Sequence, residues 1–211
     1  MFCREFVVAG KHLGLKRKLN KVIDQIHGEK VPTSARSAIE TDGTASVFLY
    51  RFNETAAIEE LGNLVRISEL EFQVDENVES GDLAAAFNVL KTNSAETLRQ
   101  IKLAYVPSYS EKSDVYRCPA LKNTWSSGLV NLKSLEIDSI DIGDKTLVGL
   151  ANHQSLWSFD FTKVPLSAKA IKNLATVSSL NLVMITNCSG VREKHRELLL
   201  EIPGIRAVHI K

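Results

Sequence analysis

The chain has 211 residues, 44% of them hydrophobic and 24% charged, with a formal net charge of +1. That balance suits one globular domain or a short repeat array with a continuous core, and it excludes a global field drawing the chain to nucleic acid or an acidic surface. The three cysteines, Cys3, Cys118 and Cys188, are too few and too scattered for a disulfide framework, so a reducing, cytoplasmic location is expected.

The first ten residues lack the apolar core of a secretory signal, and Phe6-Val7-Val8 is a candidate short strand. From His12 to His27 the period is helical. Leu15, Leu19, Val22, Ile23 and Ile26 fall on one stripe, Gly28 fits a C-cap, and Pro32 prevents early resumption. The opposite face carries Lys11, Lys16, Arg17, Lys18 and Lys21. A basic amphipathic helix can serve a membrane surface or nucleic acid. On a nearly neutral chain it reads better as a cap that packs its stripe on the next unit and wets its lysines. Neither a membrane nor a nucleic acid is therefore expected as partner. Residues 29–45, rich in Ser, Thr, Gly and Asp, read as a connector. Residues 1–46 thus form an N-terminal helical cap and connector, and 47–211 form the main unit.

Val47–Phe52 is a strand by its β-branched and aromatic content, and Ala56–Leu64 a short helix with Ile58, Leu61 and Leu64 on one side. Ile67-x-x-Leu70-x-Phe72 opens a better-formed unit, whose helix is expected over Asp82–Leu90 with Gly81-Asp82 as start signal. Leu98-x-x-Ile101-x-Leu103 opens the next. Leu132-x-x-Leu135-x-Ile137, Leu156-x-x-Phe159-x-Phe161 and Leu180-x-x-Val183-x-Ile185 then follow one another every 24 residues, and Ile205-x-x-Val208-x-Ile210 is last. Between them lie helical pieces at Lys145–Ala151, Ala168–Ala175 and Arg192–Ile202. A unit of this size cannot bury its apolar face alone and must stack on its neighbours.

Leu-x-x-Leu-x-Leu followed by a helix with Leu-x-x-Leu, at a spacing of 24, resembles the leucine-rich repeat family over roughly residues 67–211. Leu135–Ala151 is most similar to the 24-residue bacterial type, with the cysteine-containing type a close relative. The resemblance implies an α/β solenoid: a parallel β-sheet on the concave face, short helices outside, and the amphipathic N-terminal helix before it. The family's ninth repeat position usually holds Asn or Cys. Here it holds Asp75, Val106, Ile140, Val164 and Cys188, so Cys188 fits it best.

In that arrangement the x positions alternate with the inward Leu positions and form a grid. Its rows run Glu69, Glu71, Gln73; Gln100, Lys102, Ala104; Ser134, Glu136, Asp138; Ser158, Asp160, Thr162; Leu182, Met184, Thr186; and Ala207, His209, Lys211. Glu69, Glu71, Glu136, Asp138 and Asp160 surround one mid-array cation, Lys102. The face is therefore expected to be acidic and suited to a basic protein segment, with Leu182 and Met184 as an apolar foothold. The plain alternative is a wet sheet face kept soluble by its charges.

The insertion from Tyr105 through Tyr109 and Tyr116 to Trp125 holds three of the four tyrosines and one of the two tryptophans. Such rings anchor interfaces, or equally fold back over an irregular unit. The last strand ends at Ile210-Lys211 with no following helix. Its open edge is expected either to pair with another chain, or to be blunted by His209 and Lys211 with Arg206 beside them, or to belong to a longer array. Cys188 and His195 raise the idea of a nucleophile and base, but Cys188 holds a structural repeat position. The five histidines show no metal spacing, and no Gly-rich phosphate loop or serine elbow occurs. No catalytic residue, cofactor or metal is expected. The function expected is a non-catalytic protein–protein interaction module, with a self-associating structural module as the alternative.

Overall fold

A computed structural model describes residues 2–27, 37–40, 42–50, 55–76, 78–107, 115–117, 128–151 and 153–211. The first helix, α1 (Phe2–His27), runs through the Phe6-Val7-Val8 segment expected as a strand. Val8 lies seven residues before Leu15, in phase with the apolar stripe, so the helical period reaches further back than the local β-branched pair suggests. Leu19, Val22 and Ile23 are buried and Leu15 packs at their margin, while Arg17, Lys18 and Lys21 are exposed. The stripe rests on α2 (Thr55–Leu64) and on two strands, β1 (Ser37–Ile39) and β2 (Ala45–Tyr50).

β1 lies inside the stretch expected to be all connector, and pairs antiparallel with β2. The missed signal is Asp42-Gly43, a turn pair that favours hairpins. The Asp42 carboxylate accepts from the Thr44 N–H at 2.9 Å and the Thr44 hydroxyl at 2.6 Å, and Gly43 takes φ +83°. These bonds, donated by Thr44, hold the Asp42 carboxyl below its ordinary pKa.

The remaining elements are β3 (Ile67–Val74), α3 (Ser80–Ser94), β4 (Gln100–Tyr105), β5 (Tyr116–Arg117), β6 (Ser134–Asp138), β7 (Ile140–Asp141), α4 (Asp144–Leu150), β8 (Ser158–Thr162), α5 (Ala168–Leu174), β9 (Leu182–Thr186), α6 (Glu193–Leu200) and β10 (Ala207–Ile210). They follow the apolar periods, apart from two short strands, β5 and β7, that the periods did not mark and a longer α3 that runs on past Leu90 to Ser94. α3 starts at Ser80, one residue ahead of the expected Gly81-Asp82 signal, behind an extended Glu79 that makes no side-chain cap bond. Asp82 therefore lies inside the helix and is not its cap.

The sheet has eight strands in the order β1-β2-β3-β4-β6-β8-β9-β10, all parallel except β1. No barrel closes. β5 and β7 form a separate two-stranded ribbon. Along each strand the burial alternates: Leu70, Phe72, Ile101, Leu103, Leu135, Ile137, Phe159, Phe161, Val183 and Ile185 are buried. They join Leu61, Leu83, Phe87, Leu147, Leu150, Ile171, Leu174 and Leu199 from the helices in one core. Burying a side chain of this size contributes about 1.5–3 kcal/mol, so the ladder of such residues drives the stacking of one unit on the next.

The three regular units repeat down to the backbone angle. Ser139, Lys163 and Asn187, spaced by 24, all adopt left-handed φ of 57°, 52° and 53°. Each donates its N–H onward, to the carbonyls of Thr162, Thr186 and Lys211. Adjacent helices are also tied: the Ser167 hydroxyl donates to Asp144 Oδ2 at 2.6 Å and accepts from the Ala170 N–H at 3.1 Å. Among the described residues no helix is long and apolar enough to cross a membrane.

Candidate functional site: the open sheet face

Parallel sheets are usually covered on both faces. Here the buried face packs on the helices, and the alternate residues form a half-exposed open face. Pairing register aligns the middle row as Phe48, Glu71, Lys102, Glu136, Asp160, Met184 and His209. Beside it run Ser46, Glu69, Gln100, Ser134, Ser158, Leu182 and Ala207 on one side. On the other, Gln73, Ala104, Asp138, Thr162 and Thr186 are in register. Neighbouring strands stand about 4.8 Å apart. The row therefore places Glu71, Lys102, Glu136 and Asp160 side by side.

The charges on this row are unevenly partnered. Lys102 Nζ lies 3.5 Å from Glu71 Oε1, which also accepts from the Gln73 amide at 2.9 Å. Ser46 donates to Glu69 at 2.9 Å, and the Ser139 hydroxyl donates to Asp138 Oδ1 at 2.8 Å. Among the described residues no salt bridge joins Glu136, Asp138 or Asp160 to a cation. Partial burial pushes the Asp160 carboxyl above its ordinary pKa; the negative charge of Asp138 pushes the same way, and Lys102 pulls back. A carboxylate held in that state gains from an added cation more than a fully hydrated one. Met184 follows Asp160 directly along the row.

Phe48 and Ser46 extend the grid by one strand beyond Glu69 and Glu71. The alternation Ser46-x-Phe48-x-Tyr50 was the available signal, but the irregular first unit hid its register: the ladder shifts between Ala45 and Ser46. Tyr105 and Tyr116 stand apart from the carboxylates. Tyr105 shares the inward parity of Ile101 and Leu103, and its ring lies 5.5 Å from that of Tyr116. The Tyr116 hydroxyl donates to the Val78 carbonyl at 2.6 Å, and both rings pack at the margin of the core. Tyr109 and Trp125 lie outside the described residues. Trp157, half exposed at the entry to β8, is an apolar surface residue that the strand pattern alone did not single out.

Cys188 is buried, and its sulfur accepts from the Val164 N–H at 3.4 Å while lying 3.4 Å from the Phe161 carbonyl and 3.5 Å from that of Thr186. Burial pushes this thiol up, so little of it is thiolate near neutrality. His195 uses Nδ1 to accept the Arg192 N–H at 3.1 Å. Both side chains are thus occupied in holding turns. Among the described residues no group of three His, Cys, Asp or Glu is placed to hold a metal ion.

At the far edge, pairing to β9 turns the Val208 carbonyl outward, and Arg196 Nε donates to it at 3.4 Å. One acceptor of that edge is therefore already engaged. Comparison with family models, with curated proteins and with solved structures found no match.

Proposed function

We propose that this chain is a leucine-rich-repeat-type solenoid that acts as a non-catalytic binding module in a cytoplasmic setting, docking a basic protein segment on its open sheet face. The observation that carries the reading is the in-register row Glu136–Asp160–Met184, flanked by Asp138, with Lys102 already turned to Glu71. A cation set against Glu136 and Asp160 offsets the repulsion that Asp138 exerts on Asp160, and an apolar neighbour covers Met184. The repeat character is supported by the 24-residue register, by the recurring left-handed residue, and by Cys188 bridging turn backbone groups.

The test is fluorescence anisotropy with a labelled peptide of alternating lysine and leucine, against the unaltered chain and Glu136→Lys/Asp160→Lys. Reversing two half-exposed charges removes about 1–2 kcal/mol, so binding should weaken about five- to thirtyfold. It should also weaken as salt rises toward a Debye length of about 8 Å. Equal binding by both chains would remove the open face from consideration.

A further inference from the structure

The solvent side of α1 carries a second pattern. Leu13, Arg17, Lys21 and Gln25 follow one another every four residues, and all four are exposed, Leu13 by 55%. On a helix such positions form one ridge with steps of about 6 Å. The middle row of the sheet, taken from β9 toward β4, reads Met184, Asp160, Glu136, Lys102 in steps of about 4.8 Å. Set side by side, the ridge offers apolar, cation, cation, neutral amide to apolar, carboxylate, carboxylate, cation. The two repeats drift apart by about 2 Å from Leu13 to Lys21, which arginine and lysine side chains can span, and by about 4 Å at Gln25.

We infer that the occupant of the open face is α1 of a second copy of this chain, with Leu13 on Met184, Arg17 on Asp160, Lys21 on Glu136 and Gln25 beside Lys102. The inference rests on the proposed use of the open face and names its partner. The helix runs from β9 toward β4, because the reverse direction, with both cations kept on the carboxylates, sets the Gln25 amide on Met184 and Leu13 on Lys102. The two surfaces are different patches of one molecule, α1 on the helix side and the row on the opposite sheet face. The contact is therefore heterologous, and builds head-to-tail assemblies that either close into a ring or extend. A net charge near zero is what such a chain needs, since an excess of either sign would oppose repeated addition.

The test is sedimentation velocity of the full chain over a range of concentrations at low and high salt. The unaltered chain should grow beyond a single-chain mass with concentration at low salt, and return to it at about 0.5 M salt, where screening is within a few Å. Glu136→Lys/Asp160→Lys and Arg17→Glu/Lys21→Glu should each stay single chains. The fourfold variant carrying both changes restores the original net charge and the complementarity, and should associate again. That rescue also answers any doubt about folding of the double variants. A fourfold variant that remains a single chain, or association that survives either double change, overturns the inference. If the unaltered chain never associates yet still binds the lysine–leucine peptide through Glu136 and Asp160, self-docking fails while the open-face reading stands. If neither binding occurs, both fail.

Discussion

Gly190 follows β9 in the turn before α6 with φ +85°, and a Cβ placed there would run into the Leu166 carbonyl oxygen of the preceding unit. Gly204 has a similar φ of +84° and open space around it. Left-handed backbone alone costs an alanine about 1–2 kcal/mol, and forced overlap in a packed place adds about 1–3 kcal/mol. Gly190→Ala should therefore lower stability by about 2–5 kcal/mol and Gly204→Ala by about 1–2 kcal/mol. Urea midpoints measure both, and a smaller loss at Gly190 than at Gly204 would show that the turn moves freely. Ser139, Lys163 and Asn187 bear the same left-handed geometry without being glycine. Nothing in their side-chain types announces this in the sequence, since only Asn is favoured there. Their shared repeat position does.

Helices in this fold are held by their ends as much as by their faces. Ser167 caps α5 and bonds back to Asp144 at the start of α4, linking consecutive units outside the core. α6 begins differently. His195 Nδ1 accepts the Arg192 N–H, which requires that nitrogen to be unprotonated. Burial, then the positive charges of Lys194 and Arg192, hold the His195 pKa below its ordinary value. The unfolded chain thus takes up this proton more readily than the folded one. The stabilisation is complete above about pH 6.5, and is lost as pH falls from there through the folded pKa. Thermal melts from pH 7.5 to 5 should show a steeper decline for the unaltered chain than for His195→Gln, whose amide oxygen accepts the same bond without titrating. Parallel curves would remove His195 from the pH response.

Across the whole molecule, one continuous core runs from Leu19 and Ile23 of α1 to Val208 of β10. Phe159 and Phe161 stand mid-sheet on β8, with ring centroids 3.8 Å apart, and neither is exposed. Each unit contacts its neighbours, so damage at the centre should be felt at both ends. Phe161→Ala should cost about 3–5 kcal/mol. Circular dichroism and tryptophan fluorescence should still report a single transition at lower denaturant. Two separated transitions would mean that the units on either side of β8 unfold independently.

The sequence by itself determined β2 to β4, β6 and β8 to β10, most helix limits and six rows of the open face, because a residue's inward or outward place follows from period-two alternation once the repeat motif sets the register. It also placed the apolar stripe and basic face of α1. The tertiary structure alone decided what depends on distant partners. It set the Asp42-Gly43 hairpin against β2 and the addition of Phe48 to the row. It paired Lys102 with Glu71, and set the rings of Tyr105 and Tyr116 together at the margin of the core, as the fold-back alternative for those two has it. Local pattern records which way a side chain leaves the backbone; only packing between units records what it meets.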